Sequence, residues 1–195
     1  MEVKPVTLEG RAVRLEPLSL EHAPALHKAA APNRLFAYSG RKPADDTLEA
    51  FEAYMQGLLD DPDWCPFVTI LRETGEPIGV TCYLDLRPQH RGLEIGGTWI
   101  AEPYQGTVVN PEAKYLMLRH AFETLGAVRV QIKTDGRNLR SQRAISKLGA
   151  VHEGVLRKHM VTSDGYIRDT VMYSITDDEW PVVKAGLEAR LGYVP

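Results

Sequence analysis

The chain has 195 residues, 44% hydrophobic and 25% charged, with a formal net charge of −3. That length is enough for one sizeable core, and the slight acidity argues against a protein that binds nucleic acid by broad phosphate neutralisation. No apolar run approaches the roughly 18 residues of a membrane span, and the first ten residues carry charges where a signal peptide has an apolar stretch, so no membrane partner is expected and the chain is read as cytoplasmic.

Taken in order, residues 6–18 alternate around Val13 and Leu15 and predict a first strand. Residues 19–31 predict a helix with Ser19 as N-cap, and residues 46 or 47 to 59 a second, capped near Asp45 and broken by Asp61-Pro62-Asp63. Residues 67–72 and 78–86 read as a hairpin around Thr74-Gly75-Glu76-Pro77. A fourth strand, 93–101, contains Gly96-Gly97; an amphipathic helix follows at 111–125, then a fifth strand at 127–134 and a short helix from Asn138 to Gly149. Strands at 151–157 and 167–174, joined through Ser163-Asp164-Gly165, and a helix over 176–191 complete the chain. The order predicts a mixed α/β domain of about seven strands flanked by helices. One helix between the fourth and fifth strands suggests a parallel crossover pair. No Pro/Gly/Ser-rich linker divides the sequence, so residues 1–195 are read as one domain.

Three segments carry the chemistry. In the Asn138 helix, Asn138, Ser141, Ile145 and Leu148 share one face, and Arg140, Arg143 and Lys147 the opposite one. A polar pair therefore opens an inward-facing apolar stripe, and inward polar groups need a partner. The plain alternative is an N-cap: Asn138 satisfying the Ser141 amide. The segment Tyr104-Gln105-Gly106-Thr107-Val108-Val109-Asn110-Pro111 runs into a helix with Asn110 as the expected N-cap and Pro111 at its first position. Such an end offers unpaired N–H groups to an anion, and Gly106 permits close backbone approach. Gly96-Gly97 marks a bulge or a close contact in the fourth strand. Cys65 and Cys82 form no Cys-x-x-Cys pair and read as reduced and structural, and the six histidines show no metal spacing, so no metal is expected.

A strand ending Gly-Gly-Thr-Trp-Ile, then Tyr-Gln-Gly at a helix start, a strand, and Asn-x-x-Ser opening a helix that ends Lys-Leu-Gly-Ala resemble the GNAT acetyltransferases. The likeness covers nearly the whole chain and is greatest to the branch of ribosomal-protein alanine N-acetyltransferases, the Rim type. It implies a central twisted sheet whose fourth and fifth strands splay apart, with acetyl-CoA in the gap as co-substrate. Pantetheine would pair with backbone around Trp99 and Ile100, and the phosphates would sit on the loop Gln105, Gly106, Thr107, Val108, Val109 and Asn110. Asn138 would hold pantetheine. Val108 and Asn110 depart from small residues of the family loop, and Pro111 removes an N–H. Ile145 stands where the family often has a tyrosine acid; Ser141, one turn earlier, matches the Rim-type serine whose hydroxyl would donate to the leaving thiolate. Glu94 is the candidate base, with Asp85 as a weaker one, although on a regular strand Glu94 faces away from Gly97 and Trp99. Tyr38, Trp64 and Tyr166 are candidates for an acceptor groove.

The implied activity is acetyl transfer from acetyl-CoA to a primary amine, a protein N-terminus or a small molecule, by direct attack with both substrates bound. The alternative is a non-catalytic CoA-binding or regulatory protein on the same scaffold, for which Val108 and Ile145 speak. A weaker third is a nucleic-acid module using Arg129, Arg137, Arg140 and Arg143. A homodimer is left open.

Overall fold

A computed structural model describes residues 1–31, 33–162 and 164–193. The predicted turn at Ser163-Asp164-Gly165 therefore lies partly outside the described residues. Eight strands form one mixed sheet in the order β1-β2-β3-β4-β5-β6-β8-β7: β1 Leu8–Glu9, β2 Val13–Pro17, β3 Cys65–Leu71, β4 Pro77–Arg87, β5 Gly92–Ile100, β6 Arg129–Asp135, β7 Val151–Val161 and β8 Ile167–Thr176. The helices are α1 Ala23–Ala30, α2 Leu48–Leu59, α3 Val109–Arg119, α4 Leu139–Ser146 and α5 Trp180–Leu191.

The strand count exceeds the expected seven because the first predicted strand is two. Gly10 turns the chain, with its N–H on the Val13 carbonyl. The buried Glu112 carboxylate of α3 then accepts the N–H groups of Arg11 at 2.9 Å, Ala12 at 2.7 Å and Val13 at 2.7 Å. A carboxylate a hundred residues away thus holds a turn that local alternation does not reveal. Helix starts at α1, α2 and α5 also differ from expectation. Ser19 caps a 3-10 turn over Leu20–His22 that precedes α1. Thr47, not Asp45, caps α2, accepting the Ala50 N–H while Asp45 orders Thr47. Thr176 ends β8, and α5 begins at Trp180 with Pro181 in its first turn.

Two cores lie on the two faces of the sheet. Helices α1 and α2 cover β3 and β4 with a core that includes Leu26, Phe51, Met55, Val80, Cys82 and Trp99. On the other face α3, α4 and α5 bury Tyr115, Leu116, Met117, Ile145, Leu148 and Val183 against Leu15, Phe67, Tyr83 and Ile95. Helix α3 is more deeply buried than an amphipathic pattern requires: nine of its eleven residues are buried, Glu112 and Lys114 among them, and it continues as a single π-helical stretch over His120–Thr124. Both cysteines are buried and free.

Lys114 enters this core with no carboxylate paired to it among the described residues. Its ammonium donates to Thr81 Oγ1 at 3.0 Å and Thr98 Oγ1 at 2.6 Å. Burial pushes its pKa down to about 7. The folded state therefore binds fewer protons than the unfolded chain between about pH 7 and the ordinary lysine value of 10.5. Stability gains from this group as pH rises through that window, on the order of a few kcal/mol in total. Lys114→Met is expected to remove that rise, so the two melting-temperature profiles should converge above pH 10. Parallel profiles would contradict it.

Candidate active site

The sheet opens between β5 and β6. These two parallel strands share only three register pairs, Gly92 with Arg129, Leu93 with Val130 and Glu94 with Gln131. Beyond them β5 stays paired with β4, and β6 runs on with β8 to Asp135. The result is a wedge whose closed end is Glu94 and Gln131. The parallel crossover and the splay expected from the sequence are both present.

A bulge shapes the β5 side of the wedge. Gly97 and Thr98 together oppose Thr81 of β4, and Gly97 takes a positive φ of 59°. A Cβ there would come within 2.9 Å of the Trp64 ring and 3.2 Å of Cys82 Sγ, so glycine is required on two counts. The extra residue resets the alternation of the strand. Glu94 pairs with Leu84, which belongs to the α1–α2 core, as does Trp99. Glu94 and Trp99 therefore share a face, where an unbroken strand would have set them on opposite ones.

Past the bulge, the Ala101 N–H donates to the Ile78 carbonyl at 2.8 Å. Antiparallel alternation then turns the Ile100 N–H and C=O away from β4, toward the gap, and commits the backbone of Trp99 to β4. The Ile100 carbonyl accepts Gln105 Nε2 at 2.8 Å, which leaves its N–H facing the opening. The Trp99 indole is buried in the α1–α2 core.

The loop after β5 is built differently from its expected form. Helix α3 begins at Val109 with Val108 as N-cap, so Asn110 and Pro111 are its second and third residues and Asn110 is not the cap. Thr107 Oγ1 takes the Val109 N–H and itself donates to the Tyr104 carbonyl. Val108 needs no unusual backbone, with φ −70°; the positive φ, 78°, falls on Gly106. The N–H groups of Gly106, Thr107, Val108 and Asn110 donate to nothing among the described residues, and Asn110 Oδ1 is buried without a partner. A recess of about 250 Å³ lies against them, lined by Gly106, Thr107, Val108, Pro111, Arg190 and Leu191. Clustered free N–H groups at a helix start beside an arginine fit an anion. Arg190 comes from α5 and carries no local motif, so the sequence gives no sign of it. Arg140 is occupied otherwise, its Nη1 bonding Gln105 Oε1 and tying this loop to α4.

On α4, Asn138 is the N-cap, its Oδ1 accepting the Ser141 N–H at 3.0 Å, as the plain alternative anticipates. Ser141 is half-buried, and its hydroxyl is engaged by no partner among the described residues. Ile145 and Leu148 are buried while Arg140, Arg143 and Lys147 are exposed, as the helical phase predicts.

At the closed end of the wedge, Glu94 is 2% exposed. Its Oε2 accepts Lys133 Nζ at 2.9 Å and Gln131 Nε2 at 3.0 Å. Gln131 also donates to Asp85 Oδ2 at 2.7 Å and accepts Arg87 Nη2 at 2.9 Å. Asp85, the weaker candidate base, sits at a bulge in β4 with φ 47°. The proposed groove aromatics separate: Trp64 packs on Gly97 and under the Arg41 guanidinium, while Tyr38 and Tyr166 are exposed and flank Arg137. Arg129 and Arg137 are held by Glu153 and Asp135. Among the described residues, no group of three His, Cys, Asp or Glu is placed to hold a metal, and no helix is long and apolar enough to cross a membrane.

Residues 12–151 match the family model described as "Acetyltransferase (GNAT) domain". The chain is 34% identical over 104 residues to the uncharacterized N-acetyltransferase YoaA of Bacillus subtilis (strain 168), a match spanning 53% of this chain and 58% of that protein. A protein from T. thermophilus assigned as an acetyltransferase superposes with a TM-score of 0.91 at 47% identity, covering 98% of this chain and 100% of that one. A GCN5-related N-acetyltransferase from Brucella melitensis does so with 0.91 at 29% identity, covering 97% and 86%. Mycobacterium smegmatis RimJ in complex with CoA-disulfide shares the fold, with a TM-score of 0.82 at 23% identity over 96% and 95% of the two chains.

Proposed function

The chain belongs to the GNAT acetyltransferase family, and from that premise we propose that it moves acetyl from acetyl-CoA to a primary amine with both substrates bound. The observation that carries this reading is the wedge between β5 and β6, with the free N–H groups of Gly106, Thr107, Val108 and Asn110 beyond its open end. The similarity in fold to a RimJ that holds CoA-disulfide supports CoA as the occupant.

Bound acetyl-CoA would supply the acyl group as a thioester. The loop N–H groups and Arg190 hold the phosphates. The Ile100 N–H, directed into the gap, donates to the acyl oxygen and stabilises charge that develops there. The Ser141 hydroxyl, which has no partner among the described residues, donates a hydrogen bond to the departing sulfur and stabilises it as a thiolate. Glu94 lies at the closed end on the α1–α2 face and takes the proton that the attacking amine loses, directly or through one water. An α-amine, with an ordinary pKa near 8, needs only that modest help.

The test is a mixture of protein, acetyl-CoA and an amine panel with a thiol reagent, together with calorimetric titration of acetyl-CoA. CoA release above background with at least one amine is the expected result. Binding without release would favour the non-catalytic alternative, and neither would end the proposal. Ser141→Ala is expected to lower kcat by about tenfold or more while the Kd of acetyl-CoA changes by less than about threefold. The helix start is untouched by that change because Asn138 bonds the Ser141 backbone and not its side chain. An unchanged kcat would remove Ser141 from the chemistry.

A further inference from the structure

On the Glu94 face of the sheet, β5, β6 and β8 bury a group of charged side chains beyond the cover of α1 and α2. Alternation along β8 sends Val171, Tyr173 and Ile175 to the α3–α5 core, which leaves Arg168, Thr170 and Ser174 on the Glu94 face. Asp135 of β6 pairs with Thr170, one alternate position from Arg168. The segment between α1 and α2 reaches over this region. The Arg137 guanidinium lies 3.4 Å from the Tyr166 ring centre and 5.5 Å from that of Tyr38, and Gly40 sits against Met160.

The charges here can be matched one by one. Glu94 is paired with Lys133 at 2.9 Å. Asp85 faces Arg87 at 3.6 Å. Asp135 is taken twice by Arg137, at 3.0 and 2.8 Å, and also accepts the Arg137 N–H. Arg168 is the surplus cation. It is 5% exposed, its Nε is buried with no acceptor, and it forms no ion pair among the described residues. Burial lowers its pKa, and only the more distant charges of Asp135 and Glu94 act in the opposite sense. An arginine stays protonated in such a place, and a buried guanidinium with unfilled donors is costly unless a ligand fills them.

We propose that Arg168 anchors a carboxylate of the acceptor, so that the substrate is a primary amine carrying a carboxylate on the same small framework. The amine then lies toward Glu94 and the carboxylate toward Arg168. Two sources share this chemistry, a free amino acid and an acidic side chain close to a peptide N-terminus. A neutral analogue would leave Arg168 buried and unpaired, and a site built for a charged partner rejects analogues that lack it. This inference rests on the acetyl-transfer reading above.

The test compares kcat/KM for amino acids against their carboxamides, and for short amidated peptides with Asp at the second position against the same peptides with Asn. Each is run with the wild-type protein, Arg168→Met and Arg168→Lys. The wild type is expected to prefer the carboxylate member of at least one series by about tenfold or more. Arg168→Met should collapse that ratio toward one, and Arg168→Lys should retain part of it. The series that responds identifies the source. No preference in the wild type, or a preference that Arg168→Met retains, overturns the assignment. Should no amine be acetylated, the acetyl-transfer reading fails by itself, and calorimetric titration of the same pairs decides the anchor. Tighter binding of the carboxylate, lost in the Met variant, supports it, and equal binding overturns it. If circular dichroism shows Arg168→Met unfolded, the Lys variant decides.

Discussion

Glu94→Gln is expected to lower kcat/KM for acetyl transfer by about 10²-fold near neutral pH, the low end of what a positioned base contributes. The substitution keeps the shape of the side chain and the hydrogen bond from Gln131 but removes the charge that Lys133 pairs with. Lys133 is 23% exposed and can turn toward water, so the cost to stability should stay near 1 kcal/mol. The pH profile separates the two roles open to this carboxylate. With Glu94 accepting the proton, the wild type works below the pKa of its amine. Without it, the rate should follow the fraction of amine already neutral, rising about tenfold per pH unit up to about pH 8. A variant with the wild-type rate and profile would make Glu94 a structural half of an ion pair. The proton would then leave to solvent or to Asp85.

Regular alternation would set Glu94 opposite Trp99, whereas the structure sets both on one face, and the reason is physical. Strand alternation holds only while one residue opposes one, and the bulge at Gly97 and Thr98 opposes two residues to Thr81. Gly96-Gly97 announces an irregularity without saying which residue absorbs it. The element order and the parallel pair, by contrast, follow from hydrophobic period and from the helix between the two strands, because burial of one face imposes those patterns wherever they occur. The Asn138 helix reads correctly to its last buried leucine for the same reason.

What local pattern cannot show is a partner brought in from far along the chain. Asn110-Pro111 has the composition of a helix start, yet Val108 is the N-cap, the Thr107 hydroxyl takes the Val109 N–H, and the helix opens two residues earlier. That shift turns Val108 from an obstacle into an ordinary N-cap residue and moves the positive φ to Gly106. Arg190 reaches the loop from α5, about eighty residues on. Arg168 looks in sequence like any strand arginine, with Asp169 beside it. Its isolation appears only once Asp135 is seen to be spent on Arg137. Exposed charge runs and buried surplus charges have the same spelling, and only packing distinguishes them.

Glu112→Ala is expected to be the most destabilising single change proposed for this chain, at about 3 kcal/mol or more. Glu112 is 2% exposed, and its two oxygens accept three successive N–H groups from the turn between β1 and β2, together with the Tyr193 hydroxyl at 2.6 Å. Alanine takes the carboxylate from all four donors at once, and the Arg11 N–H keeps the Tyr193 hydroxyl at 3.2 Å as a longer alternative. For a chain of this length that loss corresponds to a fall in melting temperature of about 10 °C, measurable by circular dichroism. Glu112→Gln should cost less, because its amide oxygen can still serve one or two N–H groups while its NH2 confronts the others. The two variants also report on the site. Glu112 sits in the first turn of α3, three residues beyond Val109, so loosening its grip on β1 and β2 frees the end of α3 that carries the unpaired N–H groups. Acetyl-CoA affinity should therefore fall in step with stability, by about tenfold in the alanine variant. A melting temperature within 2 °C of the wild type would mean that water replaces the carboxylate without loss, and that the start of α3 owes its position to its apolar neighbours alone.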